Sequence, residues 1–175
     1  IYASNSVPGV GTWQDGTTLS STTPGYVGTQ PIASVQGGLL RLTKDGEYGT
    51  VTAFKIPDLD KSQDIVGFSF TTGVRMNAVG TPGRGWSMNF GAIPQTDGDG
   101  ELGYPLSKGL VVSFRTAVDT AAGETQGEIA VFVNRIKVAS YPKTFNFDTV
   151  VRTAVIRWDS LGLDITYNNS VVVDN

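Results

Sequence analysis

Three stretches of this chain alternate apolar and polar residues with a period of two, and no stretch sustains the 3.6-residue period of a helix. In 64–76, Phe68, Phe70, Thr72, Val74 and Met76 share one side while Ser69, Thr71, Gly73 and Arg75 share the other. In 86–93, Trp86, Met88 and Phe90 oppose Ser87 and Asn89. In 109–116, Leu110, Val112, Phe114 and Thr116 oppose Val111, Ser113 and Arg115. Alternate side chains of a strand point to opposite faces, so each stretch predicts a strand with one face on a core and one face wetter.

The residues between these stretches fit the same architecture. The 22 glycines and 8 prolines interrupt the chain at short intervals, and Ser, Thr, Asn and Val are abundant, a composition of strands and tight turns. Two segments, 128–139 and 163–174, each carry an Asn-led pair in the middle, Asn134-Arg135 and Asn168-Asn169. Asn tolerates the positive φ of a type I′ turn, so both segments predict β-hairpins. Leu40 and Leu42 alternate through 38–44, which runs into Asp45-Gly46 and predicts a hairpin with 48–56. A further strand is expected over 150–159, with loops and short edge strands over 1–37. The expected fold is all-β: two antiparallel sheets packed face to face as a sandwich, in one domain spanning 1–175.

Several functions are excluded by what the chain lacks. The net charge is −3 and no basic cluster occurs, which removes the phosphate-neutralising surface that nucleic-acid binding needs. With no histidine, Ser-His-Asp and Cys-His catalysis and the commonest ligand of transition metals are gone. With no cysteine, there is neither disulfide nor thiol chemistry. No apolar run is long enough for a membrane-spanning helix. The start at Ile1, without Met or a signal-like segment, is what a processed protein or excised fragment would show.

In the second half the order of short motifs resembles the concanavalin A-like lectin/glucanase superfamily, nearest to legume-type lectins and lectin-like modules of bacterial surface proteins. The resemblance rests on Gly83-Arg84-Gly85-Trp86-Ser87-Met88, then Gly98-Asp99-Gly100-Glu101-Leu102-Gly103, then 110–116, then the Asn134 hairpin. It extends to Ile56-Pro57-Asp58-Leu59-Asp60, to Asn89-Phe90-Gly91 and to the 163–173 hairpin, so it covers about residue 38 to the end. It implies a jelly-roll sandwich and a carbohydrate-binding module of an extracellular or cell-surface protein, alone or beside other domains. Three departures qualify that implication. Arg84 stands where the family has a sugar-site Asp, and Ser113 and Arg115 stand where it has metal-holding acids. An arginine holds no cation, so the family's usual metal site is not expected. The family also continues to a final strand beside the first, which implies either a fragment without that last strand or an edge completed by another chain.

The candidate site residues follow from these patterns. Arg75, Ser87, Asn89, Ser113 and Arg115 fall on corresponding faces of three strands. If those strands are neighbours, they line one surface able to hydrogen-bond hydroxyls or grip carboxylates, joined by Arg84; the alternative is an ordinary solvated sheet face. Asp97, Asp99 and Glu101 place oxygen ligands at i, i+2 and i+4 on a glycine-flexed loop, which suits Ca2+ or else a solvated acidic turn. The same spacing echoes the acidic signature of the superfamily's glucanases. Alternating glycines, however, argue against the rigid carboxylate pair that a glycoside hydrolase requires. Trp86 and Trp158 read as core residues, and Trp13 as the better candidate for stacking on a sugar. Asn168-Asn169-Ser170 matches a glycosylation sequon that turn chemistry already explains. The expected function is a non-catalytic glycan-binding module; a structural or adhesive module and a glycoside hydrolase are the alternatives.

Overall fold

A computed structural model describes residues 6–7, 11–12, 26–27, 33–37, 39–42, 53–54, 64–76, 84–92, 108–118 and 120–174. The described strands run β1 (Ser6–Val7), β2 (Gly11–Thr12), β3 (Tyr26–Val27), β4 (Ser34–Gln36), β5 (Leu39–Arg41), β6 (Ala53–Phe54), β7 (Phe68–Val74) and β8 (Gly85–Ala92). They continue with β9 (Lys108–Arg115), β10 (Gly127–Val133), β11 (Ile136–Lys143), β12 (Arg152–Trp158), β13 (Leu163–Tyr167) and β14 (Ser170–Val173). Among the described residues the only helical turn is a 3-10 turn at Thr120–Ala122.

The body is an antiparallel β-sandwich. One sheet has the order β11-β10-β9-β8 and the other β14-β13-β12-β7. The inward residues are those that alternation assigns to a core. Trp86, Met88 and Phe90 stand opposite Phe114, Val112 and Leu110, and the row continues onto Ile129 and Val131. From the facing sheet come Phe68 and Phe70, Ala154 and Ile156, then Ile165 and Tyr167. Aromatic rings join the layers. Phe68 stacks on Phe90 with centroids 4.7 Å apart, and Tyr167 meets both Phe114 and Phe145 at 5.6 Å. Trp86 lies flat on Phe114 at 4.0 Å and 6°, so it is a core residue, as its alternation indicates. Among the described residues, two buried polar atoms have no hydrogen-bond partner, Trp86 Nε1 and the Tyr167 hydroxyl. Burial pushes the Tyr167 phenol above its usual pKa.

Both Asn-led turns are type I′, with positive φ at each central residue: 48° and 73° at Asn134-Arg135, 51° and 60° at Asn168-Asn169. The first is tied to the neighbouring strand, because Asn134 Oδ1 accepts from the Gly109 N–H at 3.0 Å and the Asn134 N–H donates to the Gly109 carbonyl at 2.9 Å.

Most of the hairpin predicted between 38–44 and 48–56, its Asp45-Gly46 turn included, lies outside the described residues. β5 pairs with β4 and β6 pairs with β3. β4 and β5 close with Gln36 opposite Leu39, and Gly37 after β4 takes φ 57°, a conformation that glycine adopts without steric cost. β11 carries a bulge at Val138, so Val131 faces Ala139 while Phe132 faces Lys137.

Candidate functional site

The sheet topology divides the residues that the sequence groups into one surface. Ser87 lies opposite Ser113 and Gly85 opposite Arg115, while Asn89 lies opposite Val111, so four of the candidates share the outer face of the β8–β11 sheet. Arg84 sits exposed just before β8, where its carbonyl accepts the Thr116 N–H at 2.9 Å. Arg75 is elsewhere. It follows β7, which pairs with β12 in the opposite sheet, so the expected three-strand surface is in fact two strands with Arg75 across the sandwich. Local alternation reports only which way a side chain points from its own strand; it carries no information on which strands are neighbours.

The outer face of β8–β11 is also not the wetter one at its centre. Ser113 is 2 % exposed, and Val111, Ala130 and Phe132 form a second buried apolar cluster around it. The Asn89 Nδ2 donates to Ser87 Oγ at 2.9 Å. Arg115 is engaged internally. Its Nη2 and Nη1 donate to both carboxylate oxygens of Glu124 at 2.6 and 2.9 Å, and its Nε donates to Glu128 at 3.0 Å. Its Nη1 also reaches the Ala117 carbonyl at 3.0 Å. Hydrogen bonding to Glu124 raises the guanidinium pKa against the opposing effect of burial, with Glu128 adding to the rise.

Glu128 is the centre of this network. Lys137 Nζ donates to its two oxygens at 2.9 and 3.0 Å, and Ser140 Oγ donates to it as well. Burial pushes the Glu128 carboxyl up, but the bonds from Ser140, Lys137 and Arg115 outweigh it and hold the pKa below the usual range. These contacts join β9, β10 and β11 across the ladder, where opposite charges on neighbouring strands stabilise a sheet. The arrangement suits a cross-strand clamp better than a ligand grip.

Asp97, Asp99, Glu101 and Trp13 lie outside the described residues. Among the described residues, no group of three His, Cys, Asp or Glu side chains is placed to hold a metal ion.

A solvated polar face does exist, on the outer side of the β14-β13-β12-β7 sheet. Ser69, Arg157 and Asp164 stand in register across three strands, as do Thr71, Val155 and Thr166, with Thr153 opposite Gly73. Ser69, Thr71, Thr153 and Arg157 are exposed, and exposed Arg75 extends the outward row of β7. Arg157 Nη2 bonds Asp159 at 2.7 Å yet keeps 59 % of its side chain exposed. The Asp159 carboxyl is held low by the Leu161 N–H, with Arg157 adding to it. The alternation of Thr153, Val155 and Arg157 against Ala154, Ile156 and Trp158 was present in the sequence as a signal for this face. No protein-family model and no curated protein sequence matches the chain.

Proposed function

We propose that the chain is a non-catalytic carbohydrate-binding module of a secreted or cell-surface protein, with the glycan met by the outer face of the β14-β13-β12-β7 sheet. The observation that carries this reading is the in-register row of exposed hydroxyls and cationic groups on that face: Ser69, Thr71, Thr153 and Arg157, with Arg75 at its end. Neighbouring strands lie about 4.8 Å apart, so these groups form a flat grid of donors and acceptors suited to the hydroxyls of an extended polysaccharide. Exposed Arg75 favours an acidic glycan, because guanidinium binds carboxylate or sulfate in paired hydrogen bonds, and Arg157 can add to it through the part of its side chain that Asp159 leaves exposed.

Among the described residues, Asp148, Glu128 and Asp159 are held below their ordinary pKa by cations and N–H or O–H donors, so none of these three suits the role of a glycosidase acid, whose pKa must be raised. The test is a glycan array that includes uronic-acid and sulfated polysaccharides, read with the wild-type chain and an Arg157→Ala variant. Binding to an acidic polysaccharide that weakens about tenfold in Arg157→Ala supports the reading. Failure of the wild type to bind any glycan sinks it in favour of a structural or adhesive module.

A further inference from the structure

The two sheets part at one end of the sandwich, and the space between them is unlike the polar face just described. A cavity of about 570 Å³ lies there, and all eight strands of the two sheets contribute to its wall. Phe68 and Phe90 stand at one side with Trp158 against Phe68 at 6.1 Å, and Val131, Ala139 and Tyr141 stand toward the other. Its size is that of a small-molecule site. The bulge in β11 contributes directly: Val138 and Ala139 are consecutive, yet both line the cavity.

We infer that this cavity is a binding slot for the hydrocarbon chain of a small amphiphile. Three observations lead there. First, the wall is made mainly of apolar side chains and glycines, and its four inner strands, β9, β10, β12 and β13, are paired along both edges. A sugar or a peptide entering it would lose water from hydroxyl or amide groups and find almost nothing to bond, which is costly for each group. A hydrocarbon loses nothing by the same move and gains the burial of its surface. Second, the slot runs across the sheets from β7 and β8 to β11 and β14. Three inter-strand spacings make it about 14 Å long and one side-chain layer deep, the shape of an extended chain rather than of a compact ring system.

Third, the rim at that end is apolar and exposed. Val66 just before β7 is 83 % exposed, and Leu161 in the β12–β13 turn is 81 % exposed. Val133 and Ile136 flank the β10–β11 turn at 41 % and 67 %. Val133 itself lines the cavity, and the other three lie on or beside connections at the same end of the two sheets; exposed apolar residues beside an apolar cavity suit the binding of an apolar ligand. The chain enters between these residues and the polar head stays in water at the rim. The slot is independent of the outer polar face, and either can be present without the other.

The test titrates the whole chain with cis-parinaric acid, a fluorescent fatty acid, following its emission and the energy transfer from tryptophan. Saturable binding of one molecule per chain, displaced by non-fluorescent dodecanoate, is expected. Ala139→Trp fills the slot and weakens binding about tenfold or more. Val138→Asp, at a position 58 % exposed, leaves the core intact and places a charge in the wall, and it weakens binding to a similar extent even if Ala139→Trp fails to fold. Arg157→Ala, on the outer face, binds the probe as the wild type does. Absence of saturable wild-type binding, or unchanged binding in Val138→Asp, overturns the inference.

Discussion

Arg115 and Glu128 stand directly opposite each other on β9 and β10, bonded Nε to Oε1 at 3.0 Å. The guanidinium keeps 17 % of its side chain exposed and the carboxylate 13 %, so this is an ion pair largely withdrawn from water. Removing one partner of such a pair costs more than the pair contributes, because the other charge is left without its full set of bonds. Arg115→Ala is therefore expected to lower stability by about 2–3 kcal/mol, less than for a fully buried pair because Lys137 still serves Glu128. In a chain of this size that corresponds to a drop of roughly 4–12 °C in the thermal midpoint. An unchanged midpoint would return Arg115 to the pool of free surface cations and reopen it as a ligand contact.

The chain is expected to lose stability on acidification below about pH 4. Asp148 is lowered from 3.8 to about 2 by the paired bonds from Arg152 at 2.7 Å, aided by the Val150 N–H. A carboxyl with a depressed folded-state pKa contributes its stability above the unfolded value and loses it as pH falls toward the folded one. The contribution of Asp148 is thus whole above about pH 5, falls steadily below pH 4 and is mostly lost by pH 2. Thermal melts of the wild type and Asp148→Asn, taken across pH 6 to 2, check this. The two curves should converge at the acid end, and parallel curves would refute the assignment.

Tyr167→Phe should be neutral or stabilising, by up to about 1 kcal/mol. The ring is 2 % exposed against Phe114 and Phe145, while its hydroxyl is buried without a hydrogen-bond partner. Deleting an unsatisfied group removes a desolvation cost and keeps the packing. Tyr167→Ala removes the ring itself and is expected to cost about 3–5 kcal/mol. Denaturant midpoints of the pair separate the two contributions; a loss of more than about 1 kcal/mol in Tyr167→Phe would show that the hydroxyl has a partner after all.

At the β10–β11 turn, Arg135 sits at φ 73°, a conformation that costs a side-chain-bearing residue and suits glycine. Arg135→Gly is expected to stabilise the chain by about 0.5–1 kcal/mol, read as a higher denaturant midpoint at constant slope. Asn169→Gly, at φ 60° in the second type I′ turn, should gain less, because Asn already tolerates positive φ.

Much of the architecture was legible in the sequence, and the reason is physical. Alternation through Trp86–Phe90 and Leu110–Phe114 states which residues face inward, and positive-φ chemistry at Asn134 and Asn168 states where two hairpins close. Both are local properties. Strand adjacency is not local, and the candidate site depended on it: Arg75 went to the other sheet because β7 pairs with β12. Alternation also could not reveal that the second face of β9 is covered, which leaves Ser113 buried. Nor could it reveal that Arg115 is matched by Glu124 and Glu128, though both lie within the next thirteen residues. The slot between the sheets was equally hidden, since its wall reads in sequence as ordinary core.

The order of strands in the two sheets has a consequence for how the chain reaches its fold. β8, β9, β10 and β11 are consecutive and each pairs with its successor, so that sheet can assemble from one continuous stretch of sequence. β7 precedes this whole stretch yet waits for β12, which follows it. Closing that pair spans the entire first sheet and is the slow, entropically expensive step. During synthesis Phe68 and Phe70 therefore leave the ribosome well before β12, the strand that pairs with theirs among the described residues, has been made.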